Sequence, residues 1–189
     1  MPEKKLDVVI YGATGYTGKL VVEYMVKNYL NDNEVNWAIA GRSEEKLKSV
    51  KDVFGLTDSV NEIVVDSNDY KSVQNMVSQS KCILTTVGPY QLYGLNILKA
   101  CAESGVDYVD LCGEPAWMHQ MIQEYNEIAK GSGARIVFSC GFDSIPFDLG
   151  VYLLQKKVVT HQGNPAKNVR GRVRACLLYT SPSPRDEKV

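Results

Sequence analysis

Three glycines, Gly12, Gly15 and Gly18, stand at three-residue intervals directly after the apolar segment 6–11. Such a turn between a strand and a helix leaves room for a pyrophosphate, and the helix N-terminus presents free N–H groups and a partial positive charge to the phosphates. The spacing is G-x-x-G-x-x-G rather than G-x-G-x-x-G, and a purely structural turn is the alternative. In this position the motif predicts a dinucleotide site, with the binding residues Gly12, Thr14, Gly15, Tyr16, Thr17 and Gly18.

Arg42 and Ser43 follow the second apolar segment, where NAD-binding proteins typically carry an acidic residue for the ribose diol. A guanidinium at this position favours the 2′-phosphate of NADP through a charge-assisted contact, and the serine hydroxyl can add a hydrogen bond. A solvated surface arginine is the alternative. Asp66 follows the third segment, where it borders the adenine site or else caps a helix. Together these residues predict NADP(H) as the cofactor.

The fourth, fifth and sixth apolar segments end in turns that could border the same site, because such sheets bind ligands at the carboxyl ends of their strands. Gly88 and Pro89 let the backbone approach the cofactor, and Tyr90 could face the nicotinamide or the substrate. Glu114 and Asp143 stand just before helix-initiating prolines, so they are candidate acid/base or orienting groups, with helix capping as the alternative. The catalytic residue is otherwise unassigned, and the candidates are Tyr90, Glu114 and Asp143.

A second catalytic hypothesis uses Ser139, Tyr152 and Lys156, which have the Ser-x12-Tyr-x3-Lys spacing of short-chain dehydrogenases. In that chemistry the tyrosine is the acid/base, the lysine lowers the pKa of the tyrosine and the serine orients the carbonyl. Two features weigh against it here. Ser139 lies inside an apolar segment, and Pro146 starts the last helix early, which puts Tyr152 about two turns into it. Tyr152 also follows Leu149 by three residues, as expected for a packed helix face.

Short apolar segments alternate six times with segments of helical periodicity, the pattern of a parallel sheet with helices on both faces. Strands are predicted at 6–11, 36–40, 62–65, 82–88, 107–113 and 135–141. The first helix is predicted to place Leu20, Val21, Tyr24 and Met25 on one face, the third to begin at Asp69, and the last to run from Pro146 to about Lys157. The fold class is therefore α/β, a Rossmann-type doubly wound parallel sheet with right-handed connections.

Charge and composition restrict the function classes. The chain of 189 residues carries 21 basic and 22 acidic residues, a net charge of −1, so no global field draws it to nucleic acid or to an anionic membrane. Two histidines and the lack of a Cys-x-x-Cys motif argue against a metal site. Five cysteines, an odd number, indicate a reducing compartment, with Cys112 and Cys140 expected to be buried thiols. The N-terminal apolar run is too short for a signal peptide or a transmembrane segment.

Five segments of the chain are distinctive: GATGYTG (12–18), AGR (40–42), TTVGPYQLYG (85–94), YVDLCGE (108–114) and CGFDSIPFDLG (140–150). In this order and spacing they resemble the saccharopine dehydrogenase-like oxidoreductases, a family that includes the trans-acting enoyl reductases of lipid synthesis. The resemblance implies an NADP-binding Rossmann domain, then a substrate domain, and carbonyl or enoyl chemistry on a lipid-like substrate. The residues that match the family's cofactor positions are Gly12, Gly15, Gly18, Arg42, Gly88 and Pro89.

The end of the chain differs from the rest in amino-acid composition and lacks its apolar periodicity. We expect an NADP-binding domain at 1–157, the start of a truncated substrate domain at 158–175, and a disordered tail at 176–189, whose CLLYTSPSPRD segment resembles translated adaptor sequence. This chain alone is then expected to be inactive, and a non-catalytic NADP(H) sensor is the alternative. The resemblance also implies an intracellular protein, cytoplasmic or at a lipid droplet, membrane surface or mitochondrion, with a homo-oligomer formed through the missing domain.

Overall fold

A six-stranded parallel sheet forms the centre of the computed structural model, which describes residues 6–30, 35–56 and 60–172. The strands are β1 (Leu6–Tyr11), β2 (Trp37–Gly41), β3 (Asn61–Val64), β4 (Ser80–Thr85), β5 (Asp107–Asp110) and β6 (Ile136–Val137). Their order in the sheet is β3-β2-β1-β4-β5-β6, and every neighbouring pair is parallel. Because the strand order reverses between β1 and β4, the predicted Rossmann-type sheet is confirmed.

Three strands are shorter than the sequence predicts. β4, β5 and β6 end at Thr85, Asp110 and Val137, before the predicted ends at 88, 113 and 141. Apolar residues beyond these ends belong to loops, and two of them, Val87 and Phe138, pack against the core outside the ladder. A run of apolar residues indicates burial rather than strand pairing, so loops that pack against the core resemble strand in the sequence.

Helices follow each strand along the chain, and some of them begin at a residue whose side chain caps the helix. The helices are α1 (Tyr16–Tyr29), α2 (Glu44–Phe54), α3 (Tyr70–Ser78), α4 (Tyr90–Tyr93), α5 (Leu95–Ser104), α6 (Pro115–Ser132) and α7 (Ile145–Gln162). The Ser43 hydroxyl accepts a hydrogen bond from the Lys46 N–H at 3.3 Å, and the Asp69 carboxylate accepts one from the Lys71 N–H at 3.0 Å. The predicted starts of α2 and α3 are therefore confirmed.

Both faces of the sheet are covered, because successive residues of a strand point to opposite faces. On one face α1 and α2 pack on strand residues that include Ile10 and Ile39. On the other face α3, α5 and α6 pack on residues that include Val9, Tyr11 and Ile83. With both faces filled, the carboxyl edge of the sheet is left to the loops, which is where a site can form.

The buried face of α1 agrees with the prediction only in part. The helix buries Gly18, Val22 and Met25, and Val21 packs against the core, whereas Leu20 and Tyr24 are 45% and 58% exposed. Gly18 lies against the turn that precedes the helix, and the residues four and seven positions later share its face. Apolar periodicity identified Met25 but missed the centre of this face because glycine carries no hydrophobic signal.

The chain divides into two compact units, Met1–Phe138 and Ser139–Val189. The first contains the whole sheet and helices α1 to α6. The second contains α7, every residue of which is described, and none of them is buried. The boundary predicted near Lys157 falls inside α7, and packing divides the chain earlier because the core of the sheet unit is complete at β6. The predicted tail at 176–189 lies outside the described residues, and none of the helices in the described ranges combines the length and apolar character that a membrane crossing requires.

Candidate functional site

The glycine loop joins the end of β1 to the start of α1 at the carboxyl edge of the sheet. Gly12 has a φ of 94° and donates its N–H to the Ala40 carbonyl oxygen at 2.9 Å, so the loop lies against the end of β2. A Cβ at Gly12 would lie 2.6 Å from Thr86 Oγ1. A Cβ at Gly18 would overlap the Gly12 carbonyl oxygen and lie 2.8 Å from the Ala13 Cα. The fold itself therefore requires glycine at both positions.

Gly15 has no such structural requirement. Its φ of −77° and ψ of 170° are available to any residue. Among the described residues, the atom nearest to a Cβ at this position is the Gly12 carbonyl oxygen, at the ordinary contact distance of 3.4 Å. Gly15 is exposed, and the protein leaves open the space that a side chain would fill. A ligand at this point, and not the packing of the chain, would explain a glycine here.

The first turn of α1 offers its N–H groups to an anion. Its N-cap is Gly15, no described side chain caps it, and its first turn contains no acidic residue. The N–H groups of a first turn have no partner within the helix, and they carry the positive end of the helix dipole. α2 is different, because Ser43 caps it and Glu44 and Glu45 occupy its first turn. Of these two neighbouring helix ends, α1 is the one suited to a phosphate.

Arg42 and Asp66 both act on the hydroxyl of Tyr11 at the end of β1. The pKa of Tyr11 is raised, chiefly because its hydroxyl is buried. The Ser67 side chain lowers this pKa, the Asp66 carboxylate raises it, and the Arg42 guanidinium lowers it. The hydroxyl lies beside Ser67 without a well-formed hydrogen bond to any described residue. The structure therefore brings Arg42 and Asp66, two predicted site residues, to the same corner of the sheet edge. Ser43 adjoins this corner, but its oxygen already accepts the cap hydrogen bond of α2.

Asp66 does not cap a helix. Its Oδ1 accepts hydrogen bonds from the Asn68 backbone N–H at 3.0 Å and from the Asn68 side-chain amide at 3.3 Å. The N-cap of α3 is Asp69. The capping alternative for Asp66 is therefore wrong.

The loop after β4 lies against the glycine loop. The Thr86 N–H donates to the Tyr11 carbonyl oxygen at 2.9 Å, and Thr86 Oγ1 donates to the Gly12 carbonyl oxygen at 3.2 Å. Gly88 and Pro89 follow in the same loop, two and three residues after Thr86. The predicted cofactor residues after β1 and β4 are thus brought to adjoining loops at the point where the strand order reverses.

Tyr90 points into the core, contrary to the prediction that it faces the nicotinamide or the substrate. Its side chain is 4% exposed and packs on Trp117, with the ring centroids 5.8 Å apart. Its hydroxyl donates to the Thr85 carbonyl oxygen at 3.2 Å and accepts from the Leu111 N–H at 3.3 Å. Burial raises the pKa of Tyr90 well above its usual value. The phenol is therefore a structural group in this unit and not a proton donor at its surface.

Glu114 binds backbone of the loop after β4. Its Oε1 accepts a hydrogen bond from the Tyr90 N–H at 2.7 Å, and its Oε2 accepts one from the Gln91 N–H at 2.9 Å. Although Glu114 occupies the N-cap position of α6, its side chain makes no cap hydrogen bond to that helix. The predicted capping of α6 is therefore wrong. Of the two catalytic readings, this geometry fits an orienting group, because both carboxylate oxygens are engaged.

Asp110 is a buried carboxylate that was not among the candidates predicted from the sequence. It ends β5, is 3% exposed, and accepts hydrogen bonds from the Tyr108 hydroxyl at 2.7 Å and the Cys112 N–H at 3.0 Å. These bonds fix the turn that leads to Glu114. The available signal was an acidic residue inside the predicted strand at 107–113, which seldom occurs unless its carboxylate is hydrogen-bonded.

The remaining candidates lie in the second unit. Asp143 is exposed in the turn before α7. Tyr152 is 64% exposed, and Lys156 follows it by one helical turn on the same exposed helix. Ser139 has a φ of 58°, in the left-handed region, rather than the extended backbone of the predicted strand. The expectation that Tyr152 packs against neighbours is therefore wrong, since no residue of α7 is buried.

The two cysteines near the strand ends differ in environment. Cys112 is buried, as predicted, and burial raises the pKa of its thiol to about 12. Cys140 is exposed, contrary to the prediction, because it lies in the turn after β6 and not in a strand. A thiol with so high a pKa is scarcely ionised near neutral pH, so Cys112 is not suited to nucleophilic chemistry.

Comparison with known proteins gives consistent matches over the sheet unit. Residues 8–137 match the family model described as the saccharopine dehydrogenase NADP binding domain. A lipid droplet localized protein of Caenorhabditis elegans is 44% identical over 161 residues, 80% of this chain and 37% of that protein. A trans-acting enoyl reductase of Mycobacterium leprae is 41% identical over 160 residues, 84% of this chain and 38% of that protein. This chain thus spans less than two fifths of the length of either relative.

A solved structure shares the fold. The apo saccharopine dehydrogenase (L-Glu forming) of Saccharomyces cerevisiae superposes with a TM-score of 0.64 at 15% identity, over 84% of this chain and 32% of that one. At this identity the likeness concerns the fold alone. It places the same parallel sheet in a chain that is considerably longer.

Proposed function

The chain belongs to the saccharopine dehydrogenase family and contains that family's NADP-binding domain, and on this premise we propose that it binds NADP(H) across the carboxyl edge of its sheet. The glycine loop and the first turn of α1 would hold the pyrophosphate. Arg42 would pair with the 2′-phosphate, and Asp66 would border the adenosine. The loop after β4, with Gly88 and Pro89, would border the nicotinamide half.

The space beside Gly15 is the observation that carries this proposal. The fold leaves this space open, next to a helix end that has no side-chain cap among the described residues. The opening is suited to a group that is anionic and that must approach the backbone closely. A pyrophosphate meets both requirements, and its two charges would be stabilised by the N–H groups and the dipole of α1.

Arg42 supports the choice of NADP(H) over NAD(H). A carboxylate at the end of β2 would accept hydrogen bonds from the ribose diol and repel a phosphate, whereas a guanidinium attracts one. The residue at this position is Arg42, and its side chain is exposed and able to reorient. The family match, whose description names NADP, points to the same cofactor.

The reaction of the whole protein is proposed to be an oxidoreduction at a carbonyl or enoyl group of a lipid-like substrate. When bound, NADP(H) supplies or accepts the hydride. The relative of Mycobacterium leprae, named a trans-acting enoyl reductase, supports this class, and the relative of Caenorhabditis elegans supports association with lipid droplets. Residues 158–175 are proposed to begin the substrate domain, and the exposed Asp143 is the remaining acid/base candidate. Family membership argues against the short-chain dehydrogenase alternative with Ser139, Tyr152 and Lys156.

Titration of NADPH and NADH against the full chain, followed by nicotinamide fluorescence, tests the proposal. NADPH is expected to bind at least about tenfold more tightly than NADH, and Arg42→Ala is expected to remove most of that difference, because a charge-assisted contact contributes roughly 1.5–3 kcal/mol. Lys130→Ala, which removes an equal charge from α6, is the matched control and should change neither affinity. Equal binding of NADPH and NADH by the wild type would contradict the assignment of the 2′-phosphate to Arg42.

A further inference from the structure

The loop after β4 is held at both of its ends. At its start, Thr86 donates two hydrogen bonds to backbone carbonyl oxygens at the end of β1 and in the glycine loop. At its far end, the Glu114 carboxylate accepts the N–H groups of Tyr90 and Gln91 at 2.7 and 2.9 Å. The stretch between these anchors is 87–89. Its backbone path is therefore determined jointly by the glycine loop and by a side chain that follows β5.

The Glu114 side chain is itself oriented by a packed surrounding. The turn before it is fixed by the Asp110 carboxylate, which accepts the Cys112 N–H at 3.0 Å. The residue after α4, Gly94, lies so close to Trp117 that a Cβ there would be 2.6 Å from the indole ring. α4 and the start of α6 are thus in direct contact, and Glu114 bridges them with a charge-assisted pair of hydrogen bonds. This arrangement has little freedom to relax without the carboxylate.

We propose that Glu114 is a positioning residue for the nicotinamide half of NADP(H), an inference that rests on the proposed function. A dinucleotide crosses a doubly wound sheet where the strand order reverses, so its two halves lie over opposite halves of the sheet. Residues 87–89 follow β4, on the side away from Arg42, and they border the nicotinamide half. Glu114 acts through their backbone and does not touch the cofactor. Loss of its charge weakens the contacts of one half of the dinucleotide and leaves the other half intact.

Binding of NADPH and of 2′,5′-ADP to Glu114→Gln tests this division. The second ligand carries the adenosine and the 2′-phosphate but no nicotinamide. In Glu114→Gln one N–H faces an amide group that cannot accept it, so NADPH affinity is expected to fall about five- to tenfold, while 2′,5′-ADP affinity changes less than about twofold. Glu127→Gln, on the exposed face of the same helix, is the matched control and should leave both affinities unchanged. The fluorescence of bound NADPH should also shift towards that of free NADPH in Glu114→Gln alone.

The other outcomes refute either the positioning role alone or the proposed function with it. An equal loss of both ligands means that Glu114 supports the domain as a whole, and unchanged affinity for both means that the loop does not need it; either result refutes the positioning role. A wild type that binds neither ligand refutes the proposed function, and the positioning role with it. If thermal melting shows that Glu114→Gln is unfolded, Glu114→Asp takes its place. Asp keeps the charge on a shorter side chain, and it should show a smaller loss confined to NADPH.

Discussion

Gly15→Ala and Gly18→Ala should show which of the two glycines is required for ligand binding and which is required for the stability of the fold. A Cβ at Gly18 would overlap backbone of the glycine loop, which cannot move aside as a flexible side chain would. Such overpacking costs typically 1–3 kcal/mol, which corresponds to a fall in Tm of roughly 2–12 °C for a chain of this size. A Cβ at Gly15 meets its nearest described atom at 3.4 Å, with ordinary backbone angles. Its effect on the free energy of unfolding should stay within about 0.5 kcal/mol.

For NADPH binding, Gly15→Ala should be the more damaging of the two variants relative to the stability that each one loses. The methyl group of Gly15→Ala would occupy the space proposed for the pyrophosphate, so NADPH affinity should fall more than about tenfold in a protein that melts like the wild type. Thermal melting of both variants without ligand, followed by NADPH titration at 25 °C, measures the two effects separately. Wild-type affinity in Gly15→Ala would refute the proposed pyrophosphate position. A loss of stability in Gly15→Ala as large as in Gly18→Ala would refute the statement that the fold leaves space for a side chain at Gly15.

Two further predictions concern stability and reactivity. The side-chain hydrogen bond from Lys81 is the main cause that lowers the pKa of Asp7, and the hydrogen bond from the Asn36 N–H lowers it further. The ionised carboxylate therefore stabilises the fold at a pH above the unfolded-state pKa. This stabilisation is lost as the pH falls through the lower pKa of the folded state. Urea unfolding should therefore show Asp7→Asn less stable than the wild type at pH 7, by under about 1 kcal/mol, with the difference shrinking below about pH 4. Iodoacetamide at pH 8, followed by peptide mapping, should label the exposed Cys140 and spare the buried Cys112, whose pKa is about 12; comparable labelling of both would contradict the buried position of Cys112.

The glycine loop could be predicted from the sequence because its conformation depends mainly on residues close together in the chain. The positive φ at Gly12 and the close approach at Gly18 depend on residues only a few positions apart, so a motif of seven residues carries these two requirements. The contact between Gly12 and Thr86 joins distant parts of the chain and could not be predicted in this way. The caps at Ser43 and Asp69 were predictable, since each hydrogen bond spans two or three residues. The parallel sheet with helices on both faces was predictable from the alternation of strands and helices. The order of its strands, which reverses between β1 and β4, came from the structure.

The roles of Tyr90 and Glu114 were not readable in this way. Their contact joins residues 24 positions apart, and it exists only because β4 and β5 are neighbours in the sheet. From sequence, a tyrosine in a glycine–proline turn looks exposed, and a glutamate before a proline looks like a cap for its own helix. Packing against Trp117 buries the tyrosine, and the backbone that this packing brings close takes both oxygens of the glutamate.

The sequence by itself determined the fold class, the place of the glycine loop and the basic residue after β2, because each depends on periodicity or on spacing within a few residues. Only the tertiary structure decided which face of α1 is buried, where the strands end and which carboxylates are engaged. Those outcomes depend on which distant segments compete for the same space and the same hydrogen bonds. Gly18 set the face of α1 through contact with the preceding turn. The Glu114 carboxylate binds the Tyr90 and Gln91 N–H groups at the start of α4, and not the start of its own helix, because β4 and β5 are neighbours and bring these N–H groups within reach.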